Sequence, residues 1–152
     1  MNVSHKTILS ATVVLMLAGS SQAFGEERVC RTSLGAITLD NVIVPASATC
    51  TLTGTKVKGN IVVKTGATLI ANRVAVIGNV QGEGARNVVV RRSSRIGGSV
   101  QAVQGRAASV INSSVDGSIL LDSNRNTLRV INNTVGADVQ VFQNTGGAEI
   151  SD

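Results

Sequence analysis

One short motif returns along the chain at a nearly fixed interval, and that interval constrains the fold more than any other feature. Val57-Lys58-Gly59-Asn60-Ile61 recurs as Val76-Ile77-Gly78-Asn79-Val80, then as Ile96-Gly97-Gly98-Ser99-Val100 and Val115-Asp116-Gly117-Ser118-Ile119. A weaker copy is Val135-Gly136-Ala137-Asp138-Val139. The leading aliphatics stand 19 or 20 residues apart. An earlier turn is expected with Ile37 in the leading place, followed by Asp40-Asn41-Val42. Self-similarity at such a period means stacked units, none of which can bury its apolar face alone.

The rest of each unit keeps the same register. Two residues after the Gly position stand Val42, Ile61, Val80, Val100, Ile119 and Val139. Four residues after it stand Val44, Val63, Gly82, Ala102, Leu121 and Val141. Farther on come Cys50, Leu69, Val88 and Ala108, then Leu52, Ala71, Val90 and Val110; Leu128 and Val130 join these columns after a one-residue bulge. Alternation within each short run marks strands with one buried face. Gly, Asn and Ser between the runs supply corners. Stacked turns bring each column onto itself at the ~4.8 Å strand spacing. Each buried Val, Leu or Ile contributes roughly 1.5–3 kcal/mol, much of it opposed by chain entropy. The units hold no helical stretch, which disfavours a leucine-rich repeat, and a β-sandwich has no need of so constant a period. The expected fold is all-β: a single-stranded parallel β-helix of about six turns, with 19–20 residues per turn.

The N-terminal segment reads differently. Lys6, an apolar run from Ile8 to Ala18, and Ser21-Gln22-Ala23 have the form of a secretory signal peptide over residues 1–23. The solenoid domain is then 24–152, and its place is secreted or periplasmic. No later segment has the ~18 uninterrupted apolar residues of a membrane span. In that exported setting the 20-residue separation of Cys30 and Cys50, one turn of the repeat, puts the pair within disulfide reach. The alternative is two buried free thiols.

Chemistry is sparse. The only His is His5, in the leader, so the domain has neither a Ser-His-Asp triad nor a Cys-His pair. Two Cys without His make half a metal site. Gly82-x-Gly84 lacks the following Gly and helix of a nucleotide fingerprint. No cofactor is expected. Glu83 and Asp122 share an outward column about two strand spacings apart, with Val103 between them. Such a pair admits a small polysaccharide lyase, but solvated surface acids are the simpler reading, and no enzyme is expected.

The basic residues carry a sharper pattern. Without Lys6, 13 of the 14 Lys and Arg remain against 9 Asp and Glu. Arg86, Arg106 and Arg125 each fall at the same offset in their turn and form a vertical column, with Arg91, Arg92 and Arg95 adding charge to the turn of Arg86. Planar guanidinium forks suit carboxylate, sulfate or phosphate. The partner this implies is an anionic polysaccharide or lipopolysaccharide. Single-stranded nucleic acid is disfavoured, since the chain has no Trp or Tyr to stack bases. A second outward column runs Gln81, Gln101, Leu120 and Gln140, flanked by Asn60, Asn79, Ser99 and Ser118.

Turns that carry Val-x-Gly-Asn-Ile and Ile-Gly-Gly-Ser-Val resemble the bactofilin class of polymer-forming bacterial proteins. They resemble still more closely small exported bacterial proteins of the same style. The resemblance covers roughly residues 37 to 150 and concerns fold rather than activity. It implies a right-handed helix and end-to-end polymerisation. Bactofilins are cytoplasmic, lack a signal peptide and do not rely on a pair like Cys30 and Cys50, so the resemblance stops short of a cytoskeletal role. The last turn, with Val139, Val141 and Phe142, leaves an uncovered rung as the surface for end-on association into a homo-oligomer. The leading expectation is an exported, self-associating scaffold. The alternative is a binding module for an anionic glycan through the Arg column.

Overall fold

The computed structural model describes residues 26–152. The segment read as a signal peptide lies outside the described residues. The chain winds through three parallel sheets that form the faces of a solenoid. Face A stacks Glu27–Val29, Asn41–Val44, Ile61–Val63, Val80–Glu83, Val100–Val103, Ile119–Asp122 and Val139–Phe142. Face B stacks Ser33–Leu34, Thr49–Thr53, Thr68–Asn72, Asn87–Arg91, Ala107–Ile111, Leu128–Ile131 and Ala148–Ser151. Face C stacks six two-residue strands, from Thr38–Leu39 to Thr134–Val135. Each rung passes A, B, C in order. Six rungs are complete, and a seventh carries strands in A and B.

The columns read from the sequence are the ladder registers. Val80 pairs with Ile61 and with Val100, Val88 with Leu69 and with Ala108, and Ala108 with Leu128. These side chains point inward and form one buried core running the length of the solenoid. Gly82 interrupts its column without leaving a void. A Cβ there would sit 2.8 Å from Val88 Cγ2, so the opposite face fills the space.

The alternation of 19 and 20 residues has a local cause. In rung four the corner between faces B and C holds one extra residue, at Arg92-Ser93, where both backbones are left-handed. In rung six the A–B corner before Leu128 is one residue longer than in rung five, as the expected bulge requires.

The first rung departs from expectation. Leu39, not Ile37, heads it: Leu39 pairs with Val57 and packs on the core, while Ile37 is 44% exposed. The reason is a shorter rung. Val29 pairs with Ile43, a step of only 14 residues, and Leu34 with Leu52, a step of 18. The missing residues come out of the A–B corner. Cys30 therefore continues face A, its N–H bonding to the carbonyl of Ile43 at 2.8 Å, whereas Cys50 belongs to face B. The two are disulfide-bonded with Cα atoms 5.5 Å apart. The bond crosses between two faces at a contracted corner; it does not link equivalent positions of successive turns.

Candidate functional site

Three surface features surround this core: a polar ladder at one corner, two arginine-bearing corners, and an open last rung.

The ladder lies at the C–A corner and explains the recurring Gly-Asn. Asn41 Oδ1 accepts from Asn60 N–H at 3.0 Å, and Asn60 Oδ1 from Asn79 N–H at 2.8 Å. Asn79 Oδ1 accepts from Ser99 N–H at 2.8 Å, and Ser99 Oγ from Ser118 N–H at 3.0 Å. Each side chain thus satisfies a corner donor that no ladder strand reaches. The preceding Gly makes room for it. A Cβ at Gly98 would sit 2.2 Å from Asn79 Oδ1, and one at Gly78 would sit 2.4 Å from Asn60 Oδ1. Neither glycine is in the left-handed region. These residues are structural, not an outward recognition face. A second inward ladder, Asn124 and Asn144, serves the A–B corner: Asn124 Oδ1 accepts from Gly105 N–H at 3.0 Å, and Asn144 Oδ1 from Asn124 N–H at 2.7 Å.

Arg86, Arg106 and Arg125 lie beside that second ladder, all exposed. Arg106 N–H donates to Ala85 O and Arg125 N–H to Gly105 O, equivalent atoms of successive rungs, so the three residues do share one column. Carboxylates stand on the same corner. Glu83 pairs with Val103 and Val103 with Asp122, as the sequence indicated. Glu83 also borders an open groove of about 460 Å³ with Lys64, Gln81, Gln101 and Val103. Arg91, Arg92 and Arg95 do not join this patch. They lie at the far end of the face-B strand, at the B–C corner, together with Arg73 of the rung before. That grouping was hidden because the position of the corners, not the spacing along one turn, decides which charges meet.

Among the described residues the ion pairs are Lys58–Asp40 at 3.2 Å and Arg129–Glu149 at 3.0 Å. Neither involves an arginine of these two corners. Asp40 also accepts from Glu26 N–H at 3.1 Å; that bond, with the Lys58 ammonium beside it, holds its carboxyl below the usual carboxylate range.

At the last rung, Val139 and Val141 continue the inward columns of Ile119 and Leu121. Val139 is 40% exposed, whereas Ile119 is fully buried. Phe142, 45% exposed, pairs with Asp122 and so sits on the outer surface of face A rather than in the core column. Ile150, 55% exposed, continues the Val130 column on face B. It escaped the sequence reading because the face-B columns were followed only as far as Leu128 and Val130.

Among the described residues no helix is long and apolar enough to cross a membrane. No protein-family model matches the chain, and neither the curated proteins nor the solved structures offer a match. The fold and its surface therefore define the class on their own: a disulfide-stapled, three-faced parallel β-solenoid with basic corners.

Proposed function

We propose that the chain is a non-catalytic structural β-solenoid, exported from the cell in the manner of the bactofilin-like proteins its repeats resemble. It associates end to end through the rung of Val139–Phe142 and Ala148–Ser151. The observation that carries this reading is the exposure of Val139 and Ile150, whose counterparts one rung back, Ile119 and Leu128–Val130, are buried. The far edges of these two strands have no partner among the described residues. An open edge of unpaired N–H and C=O groups beside apolar side chains is a template for another strand. The disulfide supports an oxidising compartment. The column of Arg86, Arg106 and Arg125 has less support as a polyanion site, because Glu83 and Asp122 share its corner.

The test is solution mass against concentration, with electron microscopy of the same samples. The parent should form dimers or longer assemblies, and Val139→Lys with Ile150→Lys should return it to monomers with unchanged circular dichroism. A parent that stays monomeric at high concentration counts against end-on association.

A further inference from the structure

Four of the arginines converge where the repeat is broken. Arg73 of rung three and Arg91, Arg92 and Arg95 of rung four gather at the B–C corner. Arg73 N–H donates to Arg91 O at 3.2 Å, so the corner residues of the two rungs are immediate neighbours. The backbone here is left-handed: φ is 50° at Arg73, 60° at Arg92 and 61° at Ser93. That region costs conformational energy for L residues and is tolerated best by Gly and Asn. The other rungs obey this rule, using Gly54, Asn112 and Asn132 at the same corner. Placing Arg here twice, and adding Ser93 as an extra residue, points to a use for the side chains.

The electrostatics agree. The face-B and face-C stretches flanking this corner, residues 49–57, 68–76, 87–96 and 107–115, contain no Asp or Glu. Arg91 is steered by its Nε donating to Asn72 Oδ1 at 2.8 Å, and its terminal nitrogens make no hydrogen bond among the described residues. From Ser93 and Arg95 a shallow polar groove of about 260 Å³ runs along the axis past Asn112 and Ser114 to Asn132 and Thr134. The surface is a convex ridge with a hydroxyl- and amide-lined trough beside it, shaped for a chain laid along it rather than for an enclosed small molecule.

We propose that this corner binds an acidic polysaccharide. Its carboxylate or sulfate groups meet the forks of Arg73, Arg92 and Arg95, and its hydroxyls meet the trough towards Asn132 and Thr134. Guanidinium forks match both anions in a bidentate way, and the ~4.8 Å rung spacing sets the Arg73–Arg92 step. The chain has no Trp or Tyr, so single-stranded nucleic acid would find no stacking platform.

The experiment is calorimetric titration of the purified chain with heparin, polygalacturonate and a thymidine oligonucleotide, at low salt and at physiological salt. One or both polysaccharides should bind, more weakly at higher salt. The triple variant Arg73→Gln/Arg92→Gln/Arg95→Gln should lose at least about tenfold in affinity, as three surface charge contacts of ordinary strength imply. The equal-charge control Arg86→Gln/Arg106→Gln/Arg125→Gln should lose clearly less. A single Arg92→Gly change, which suits the left-handed backbone, should melt no lower than the parent and still weaken binding. Equal losses in the two triple variants would reduce the effect to net charge and overturn the site. So would a parent that binds neither polysaccharide, or one that binds the oligonucleotide at least as tightly.

Discussion

A methyl group placed at Gly98 tests what the recurring Gly-Asn pair is for. If the glycine were there for a left-handed turn, alanine would strain the backbone wherever the neighbours stand; but Gly98 is not in that region. The space argument predicts a clash with one particular group. The new Cβ would lie 2.2 Å from Asn79 Oδ1 and 2.8 Å from Gly78 O. The Asn79 carboxamide must leave, and Ser99 N–H loses its 2.8 Å acceptor. Losing that bond costs about 1 kcal/mol. Easing the contact with the Gly78 carbonyl costs about 1–3 kcal/mol more. Alanine returns about 0.4–1 kcal/mol through the unfolded chain. Gly98→Ala should therefore destabilise by about 2–3 kcal/mol, a fall of roughly 5–10 °C in melting temperature.

The molecule contains its own control. At the last corner the pair is Ser118 with Ala137 in place of Asn with Gly, and the Asp138 N–H to Ser118 Oγ bond there is 3.3 Å. Changing Asn79 to Ser in the Gly98→Ala background should recover about half of the loss, with a coupling of about 1 kcal/mol in a double-mutant cycle followed by thermal melting. Additive single and double variants would refute the reasoning, as would a Gly98→Ala protein that melts with the parent.

Two further perturbations address the first rung. Replacing both cysteines by Ala opens a 20-residue loop and should cost about 3 kcal/mol; hydrogen exchange should quicken over residues 26–34 and hardly change over 100–121, whereas uniform quickening would mean that the staple supports the whole solenoid. Asp40 has a folded pKa below its ordinary 3.8 because it accepts from Glu26 N–H and faces Lys58. Its contribution to stability is present above that ordinary value and is lost as pH falls through the depressed one. Asp40→Asn should thus melt below the parent at neutral pH and level with it at about pH 2, where both carry a neutral side chain; a gap that persists in acid would assign the effect to something other than charge.

The solenoid was legible in the sequence because its core is periodic and local. Ile61, Val80, Val100 and Ile119 announce their column by spacing alone, and each meets its predicted partner. What spacing does not encode is where the chain turns. Cys30 and Cys50 are bonded, but through a contracted corner that takes Cys30 out of step with the later turns. Arg86 and Arg92 are six residues apart and seem one cluster on paper; a five-residue strand places them at opposite corners. Gly82 breaks an aliphatic column in the sequence, and only the opposing Val88 shows why the core tolerates it. The asparagines were visible as a column, yet their direction, into the corner N–H groups, depends on the glycine space beside them.

The same division tells where function is to be sought in such a chain. Every rung must offer aliphatic side chains inward and a corner that satisfies its own donors, so the repeated residues are accounted for by stability. Residues that depart from the repeat are not. Some departures are explained within the fold: the short first rung carries the staple, and the longer corner of rung six makes room for Asn124, which donates to Ala102 O and accepts from Gly105 N–H. The extra residue at Arg92-Ser93 has no such internal account. Ser93 N–H makes an ordinary bond to Asn112 O at 2.7 Å. The Gly54 rung shows that the corner can be turned without Arg, and the Asn112 rung that it can be turned without the insertion. A departure that costs backbone energy, brings no core contact and gathers unpaired cations is therefore the strongest sign on this surface of something bound from outside.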